Sequence, residues 1–327
     1  MAISVNRRNF LRLAGGSATI SSFSRVACAT DYPTRPVHLL VGFPPGGTAD
    51  IAARLIGQSL SAHFGQQFVV ENRPGASSNL AAEAVARATP DGYVLLAAAA
   101  TNSVNASLYT NLPFSFTRDF AMVAGVTQTP LVLVAVPSLG MSNVTDFIAY
   151  AKANPGKLTM ASFGSGTISH VTGELFKMKA GIETLHVPYR GSAPMITALL
   201  GDQVQAAIDN LPTSIEFIKS GKLRALAVTT KARSPALPDV AALSEFLPGF
   251  EASGWTGIAA PKATAASIVE TLNTSVNAAL ADPNVASRIG ELGGSAFSIS
   301  PHELDKFVAD EVAKWDGVIK AANIKPE

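Results

Sequence analysis

The sequence predicts an α/β fold of two lobes, each a parallel sheet covered by helices. Three observations carry this expectation. Short apolar runs alternate with longer segments of helical period, the pattern of strand–helix–strand units with right-handed crossovers. At 327 residues the chain exceeds what one compact core usually holds, so two such sheets fit better than one. A content of 47% hydrophobic against 15% charged residues marks a well-packed globular protein.

The elements follow in chain order. Residues 1–29 contain Arg7, Arg8, Arg12 and Arg25 but no acid, and end in Ala27-Cys28-Ala29. Arg7-Arg8 before Asn9-Phe10-Leu11 reads as a twin-arginine export signal, and the Ala-x-Ala triplet as its cleavage site. Arg25 disfavours a lipoprotein site at Cys28, so the mature chain is expected to keep no cysteine. No later stretch is apolar enough to span a bilayer, and a soluble periplasmic protein is expected.

Beyond the leader, apolar runs at 37–43, 67–72, 93–99, 131–136, 158–162, 184–188, 204–210, 223–229 and 254–260 are bounded by turn residues and read as strands. Helical period covers 49–64, 79–88, 144–154, 168–180, 193–200 and 212–220. The Pro-flanked strand at 129–138 opens a fresh series of units. After the Pro- and Ala-rich loop 234–250, the run at 254–260 leads only into helices, at 264–280, 284–292 and 301–322. With no strands of their own to cover, these helices are expected to pack back on the first lobe. Lobe 1 then takes residues 30–130 plus 255–327 and lobe 2 residues 131–254, with hinges near 129–136 and 252–258 and a cleft between.

Charge narrows the function. The net charge is +1, and without the four leader arginines 21 basic residues face 24 acidic ones, a balance of −3. This offers no footprint for nucleic acid. An anionic solute would have to be held by local groups.

The turns after the strands supply such groups. The stretch VGFPPGGTAD (41–50) ends a strand and opens a helix without a lysine or arginine. Similar turns lie at Pro74-Gly75-Ala76-Ser77-Ser78-Asn79, at Thr101-Asn102-Ser103 and at Phe163-Gly164-Ser165-Gly166-Thr167. In open parallel sheets, ligands bind outside the carboxyl ends of strands. The first N–H groups of each following helix lack partners and carry partial positive charge, so Gly46 and Gly47 bare a backbone that an anion can approach. A turn follows every strand in such folds, and agreement among several in both lobes is what favours binding over mere connection.

These motifs resemble the Bug family, receptors of tripartite tricarboxylate transporters. The resemblance runs from VGFPPGGTAD and VENRPGA through PDGYVLL (90–96), AYAKANPGKL (149–158), FGSGTISHVTGELF (163–176) and HVPYRGSAPMITALLGDQVQAAIDNLP (186–212) to GWTGIAAP (254–261). It implies the type 2 periplasmic binding protein fold, two doubly wound α/β lobes closing on a small carboxylate, and delivery to the membrane components of a transporter. By position it implies contacts from Gly46, Gly47 and Thr48, from Ser77 and Asn79, and from Thr101 and Asn102 in one lobe. In the other it implies Ser165, Thr167 and His170, with Arg190 and Asp209 nearby. Asp50 is a ligand contact or a helix-start residue, and Asp209 an acceptor for the solute or a helix cap. His170 is a contact or a structural histidine, and Arg190 a carboxylate clamp or a brace for the lobe edge. Ser77, Ser78 and Ala81 stand where the family usually has glycines.

Other classes fit less well. Ser169 stands where a dinucleotide fingerprint wants its third glycine, and no acid follows at a second strand end. No Gly-x-Ser-x-Gly elbow exists around Ser165 or Ser295, and Leu223 breaks a P-loop after Lys222. His38, His63, His170, His186 and His302 are scattered rather than clustered for a metal. A non-enzymatic monomer without cofactor, metal or nucleic-acid partner is expected. A ligand-sensing subunit for a signalling partner would use the same cleft.

Overall fold

The computed structural model describes residues 32–325, so the export leader lies outside the described residues. Everything below concerns the compact unit Arg35–Glu327. Strand β1 (Val37–Val41) pairs in parallel with β2 (Phe68–Asn72) and β3 (Val94–Ala99). Four of the five β1 residues are buried, which is why VHLLV shows no apolar–polar alternation. The long strand β4 (Phe120–Ala135) is the pivot. Over Phe120–Pro130 it runs antiparallel to β9 (Ser253–Pro261). Over Leu131–Ala135 it runs antiparallel to β7 (Ala206–Asn210) and β8 (Arg224–Val228). Parallel pairing resumes from β7 to β5 (Thr159–Ser162) and from β5 to β6 (Leu185–Pro188). The order is β2-β1-β3-β9-β4-β7-β5-β6.

Two expectations are corrected. The sheets are mixed rather than purely parallel, because β4, β8 and β9 run against their neighbours. The first half of β4, FAMVAGVTQT, is broken by Gly125, Thr127 and Gln128, and its register to β9 slips at two points, so its apolar period is weak. The segment expected to be only helical contains β10 (Ser295–Ala296), which pairs with β4 at Thr127 and Gln128. Two exposed residues leave no periodic signature to read.

Helices follow the strands. They are α1 (Thr48–Phe64), α2 (Asn79–Ala86), α3 (Ala100–Leu108), α4 (Val144–Ala153), α5 (Ile168–Ala180), α6 (Ser192–Leu200) and α7 (Leu211–Lys219). After β9 come α8 (Ala266–Ala281), α9 (Pro283–Glu291) and α10 (Pro301–Ala321). Helix α1 buries Ala49, Ala52, Ala53, Ile56 and Leu60 along one face, the stripe that a 3.6-residue period places together. It stops at Gly65, whose left-handed backbone turns its N–H back to Ser61 O. Helix α3 begins at Ala100, so Thr101, Asn102 and Ser103 sit in its first turn rather than in the turn before it. It packs against α10, where the Ser107 hydroxyl donates to Val312 O. The α8 residue Asn273 anchors to Val123 O of β4 at 2.8 Å and to Ile299 O at 2.9 Å.

In the β5–β7 half, Phe147 of α4 and Phe176 of α5 are fully buried with ring centroids 6.1 Å apart. Each such burial contributes ~1.5–3 kcal/mol. The parallel strands of each half point their carboxyl ends toward the seam formed by β4 and β9. The starts of α1, α3, α5, α6 and α7 are thereby collected at one place.

Candidate functional site

A narrow inner chamber opens along that seam, with a cavity volume of about 50 Å³. Its walls are helix starts. Gly47, Thr48 and Ala49 come from α1, Ala100 and Thr101 from α3, Ile168 from α5, Ser192 and Ala193 from α6, and Asn210 from the residue before α7. The remaining wall is β4 and β9, through Thr129 and Gly254–Thr256. Gly254 keeps this wall open. A β-carbon at this position would lie 2.8 Å from both Asn210 Oδ1 and Thr129 Oγ1.

A wider outer chamber adjoins it, lined by Ser77, Ser165, Thr167, Tyr189 and Arg190 among others. Phe43 and Phe163 border both chambers, edge to face with centroids 6.5 Å apart. The two halves touch across this opening. Ser77 donates its hydroxyl to Ser165 O at 2.7 Å, and Ile168 N–H approaches Thr101 Oγ1 at 3.4 Å.

Among the described residues, no Asp, Glu, Lys, Arg or His side chain lines the inner chamber. Its polarity comes from backbone and hydroxyls. The starts of α1, α5, α6 and α7 carry no side-chain cap, so their first N–H groups lack that partner. The hydroxyls of Thr48 and Thr129 are buried without a hydrogen-bond partner, as is Trp255 Nε1. Buried polar groups are nearly always paired, so unpaired hydroxyls on a cavity wall mark a place where something polar is to be received.

The sequence-predicted residues fall into three groups. Gly47, Thr48 and Thr101 line the inner chamber. Ser77, Ser165, Thr167 and Arg190 line the outer one, where Arg190 is exposed. Gly46, Asn79, Asn102, His170 and Asp209 line neither, and each makes hydrogen bonds elsewhere, although Asn79 Nδ2 is buried without a partner. Gly46 N–H donates to Asp50 Oδ2 at 2.9 Å. Asn79 Oδ1 accepts from Asn105 at 2.9 Å. Asn102 accepts from Ala99 N–H at 2.9 Å and donates to the Ser78 hydroxyl at 3.3 Å, tying α3 to the turn before α2. That turn holds Ala76, Ser77 and Ser78 all at positive φ, a conformation glycine would adopt more cheaply.

His170 Nδ1 accepts from Gly166 N–H at 3.1 Å, and its ring stacks on His186 with centroids 3.8 Å apart. Burial, with Lys177 adding repulsion, lowers its pKa to about 4, so the neutral ring is free to accept. Glu174 lies 3.7 Å from its other nitrogen but is engaged by Lys177 at 2.8 Å. Asp209 is fully buried and accepts from the hydroxyls of Ser192, Thr213 and Ser214. Burial pushes its pKa up, against those hydroxyls and the Asn210 N–H.

Asp50 lies in the first turn of α1 and accepts from Gly46 N–H, Arg54 and Asn72. Burial acts to raise its pKa, but Arg54, Gly46 N–H and Asn72 outweigh it and hold the carboxyl below its usual range. Sequence reading missed Thr129, Ser192, Asn210, Gly254 and Trp255 as chamber residues. All lie in or beside quoted motifs, yet only Asn210 and Ser192 sit at a strand-to-helix junction, the one signal that would have found them.

Comparison with known proteins adds relatives over nearly the whole chain. The profile of the tripartite tricarboxylate transporter family receptor matches residues 52–324. Protein BugT of Bordetella pertussis is 36% identical over 319 residues, covering 97% of this chain and 96% of its own. Among solved structures, Rpa4515 of R. palustris with adipate is 38% identical, with a TM-score of 0.87 over 90% of this chain and 100% of that one. MatC from Rhodopseudomonas palustris with bound malate is 31% identical, with a TM-score of 0.83 over 88% of this chain and 100% of that one.

Proposed function

This chain belongs to the tripartite tricarboxylate transporter receptor family, whose members are periplasmic solute receptors and not enzymes, and we propose that it captures a small organic carboxylate in the inner chamber. The observation that carries this reading is the convergence of five helix starts on a cavity lined, among the described residues, by no ionisable side chain. A carboxylate there can accept charge-assisted hydrogen bonds from backbone N–H groups, each worth ~1.5–3 kcal/mol. A few such bonds reach the ~8 kcal/mol of micromolar affinity without a cationic side chain. The adipate with Rpa4515 and the malate bound to MatC are of this chemical class.

In this reading Gly47, Thr48 and Thr101 touch the solute, while Ser77, Ser165, Thr167 and Arg190 guide its entry. Gly46, Asn79, Asn102, His170 and Asp209 serve by holding the loops in place. Lobe 1 comprises residues 30–130 and 255–327, lobe 2 residues 131–254, and the change of β4 partners between Pro130 and Leu131 supports that division. Solute bridging both lobes favours the closed arrangement by its differential affinity for that state. The receptor is exported by the twin-arginine route, cleaved after Ala29, acts as a monomer and hands its solute to the membrane components of a transporter.

A thermal-shift screen of the mature protein over small organic acids tests the solute class. Concentration-dependent stabilisation by one or more acids is expected. A flat response across mono-, di- and tricarboxylates would refute it.

A further inference from the structure

We propose that His170 is a proton-operated latch on the tip of the loop that enters α5, holding the tip at neutral pH and releasing it in acid. This latch belongs to one half of the molecule and needs no solute, so it stands apart from the carboxylate reading. The tip is Ser165-Gly166, where the backbone of Gly166 takes a left-handed turn with φ 69°. Among the described residues, two hydrogen bonds hold it from outside the loop. Ser165 O accepts the Ser77 hydroxyl of the other half, and Gly166 N–H donates to His170 Nδ1 at 3.1 Å. The rest of the loop is tied to itself, with the hydroxyls of Thr167 and Ser162 donating to Gly164 O at 2.6 and 3.1 Å.

The latch bond exists in one protonation state only. To accept, Nδ1 must be bare, whereas a charged imidazole carries a proton on both nitrogens. A proton arriving at Nδ1 would face the Gly166 N–H, donor against donor, so ring and loop tip must part.

The surroundings keep the ring neutral until then. Its side chain is 12% exposed, and His186 of β6 lies flat against one face, 4° from parallel. His186 is itself seated by Ser162, whose Oγ lies 2.7 Å from its Nε2. Lys177 repels a further positive charge at His170. Glu174, 3.7 Å from His170 Nε2, would favour that charge, but Lys177 already engages Glu174 at 2.8 Å. Release of the tip returns the ring to water and to its ordinary pKa near 6.5. With about 4 in the latched state, the opening constant of the tip should rise on the order of 20-fold from pH 7 to pH 5.

Hydrogen exchange of the mature protein without solute, followed by NMR and corrected for intrinsic rates, tests this. Protection of the Gly166 amide should fall about 20-fold from pH 7 to pH 5. Dilute denaturant should barely accelerate that exchange, the mark of a local opening. In His170→Gln, which can still accept from Gly166 but does not titrate, protection should stay flat. His186→Phe keeps a ring in the stack without a titrating nitrogen and should show the parent's loss. Four results overturn the latch: constant protection in the parent, steep dependence on denaturant, an equal loss in His170→Gln, or no loss in His186→Phe.

Discussion

Helices that start at the cleft and helices that start away from it finish their backbones differently. At the remote starts of α4, α9 and α10, the side chains of Asn143, Asp282 and Ser300 each accept a backbone N–H of the first turn. At the cleft, α1, α5, α6 and α7 follow Gly47, Thr167, Gly191 and Asn210, and none of these caps its helix. Residue type alone does not explain the contrast, since threonine and asparagine are good caps. The Thr167 hydroxyl is drawn to Gly164 O at 2.6 Å, and Asn210 Oδ1 is turned to the space beside Gly254. Helix α8 also lacks a cap after Ala265 yet does not line the cleft. A missing cap is therefore no signature in isolation; several on one cavity are.

The largest expected effect comes from closing one of the open starts. Gly47 has an extended backbone, and a β-carbon there would meet only Pro44 O, at an ordinary 3.7 Å. Gly47→Asp should cap α1 and place a negative charge at the chamber. Carboxylate affinity by calorimetry should fall on the order of 1,000-fold, ~4 kcal/mol, while stability to denaturant is kept or rises. Retained affinity would break the link between uncapped starts and binding.

Next is the pH dependence of the loop before α5, which His170 holds by accepting Gly166 N–H. Its folded pKa of about 4 lies below the ordinary 6.5, so between these values the unfolded chain binds more protons than the folded one. Stability thus rises with pH across this window and is lost as pH falls through it, by up to about 3 kcal/mol. His186, Glu174 and Lys177 face the same ring, and comparing the parent with His170→Gln isolates its share. Denaturant titrations from pH 4 to 7 should show a shallower slope in the variant.

At a remote start, Ser300→Ala should cost ~1 kcal/mol of stability and leave solute affinity untouched. A loss of affinity there would mean that capping acts globally rather than by location. The smallest effect belongs to Ser77→Gly. Relief of the positive φ, ~1 kcal/mol, opposes loss of the hydrogen bond to Ser165 O, ~0.5–1.5 kcal/mol. The melting temperature should barely move, while small-angle scattering without solute should show wider separation of the two halves.

Much of the fold was legible because its signals are local. The stripe of α1, the Ser300–Glu303 capping box of α10 and the Gly65 stop act within a few residues of the chain. The short apolar runs marked most strands to within a residue or two. The first half of β4 was not legible, because its polar positions are compensated by partners distant in sequence. Thr127, for example, shares a 2.7 Å hydrogen bond with Thr256, 129 positions away. The candidate site divided likewise. The glycine-rich turn at Gly47 announced itself, whereas Thr129 and Trp255 look like ordinary strand residues.

By itself, then, the sequence determined where strands stop, where helices begin and which of those junctions lack a charged side chain. Only the tertiary structure decided which junctions face one another, and which groups the side chains of Asp209 and His170 meet. The reason is physical. Turn and helix-start chemistry is decided by neighbours within about one turn, whereas a cavity is the space left between remote segments and is set by their packing.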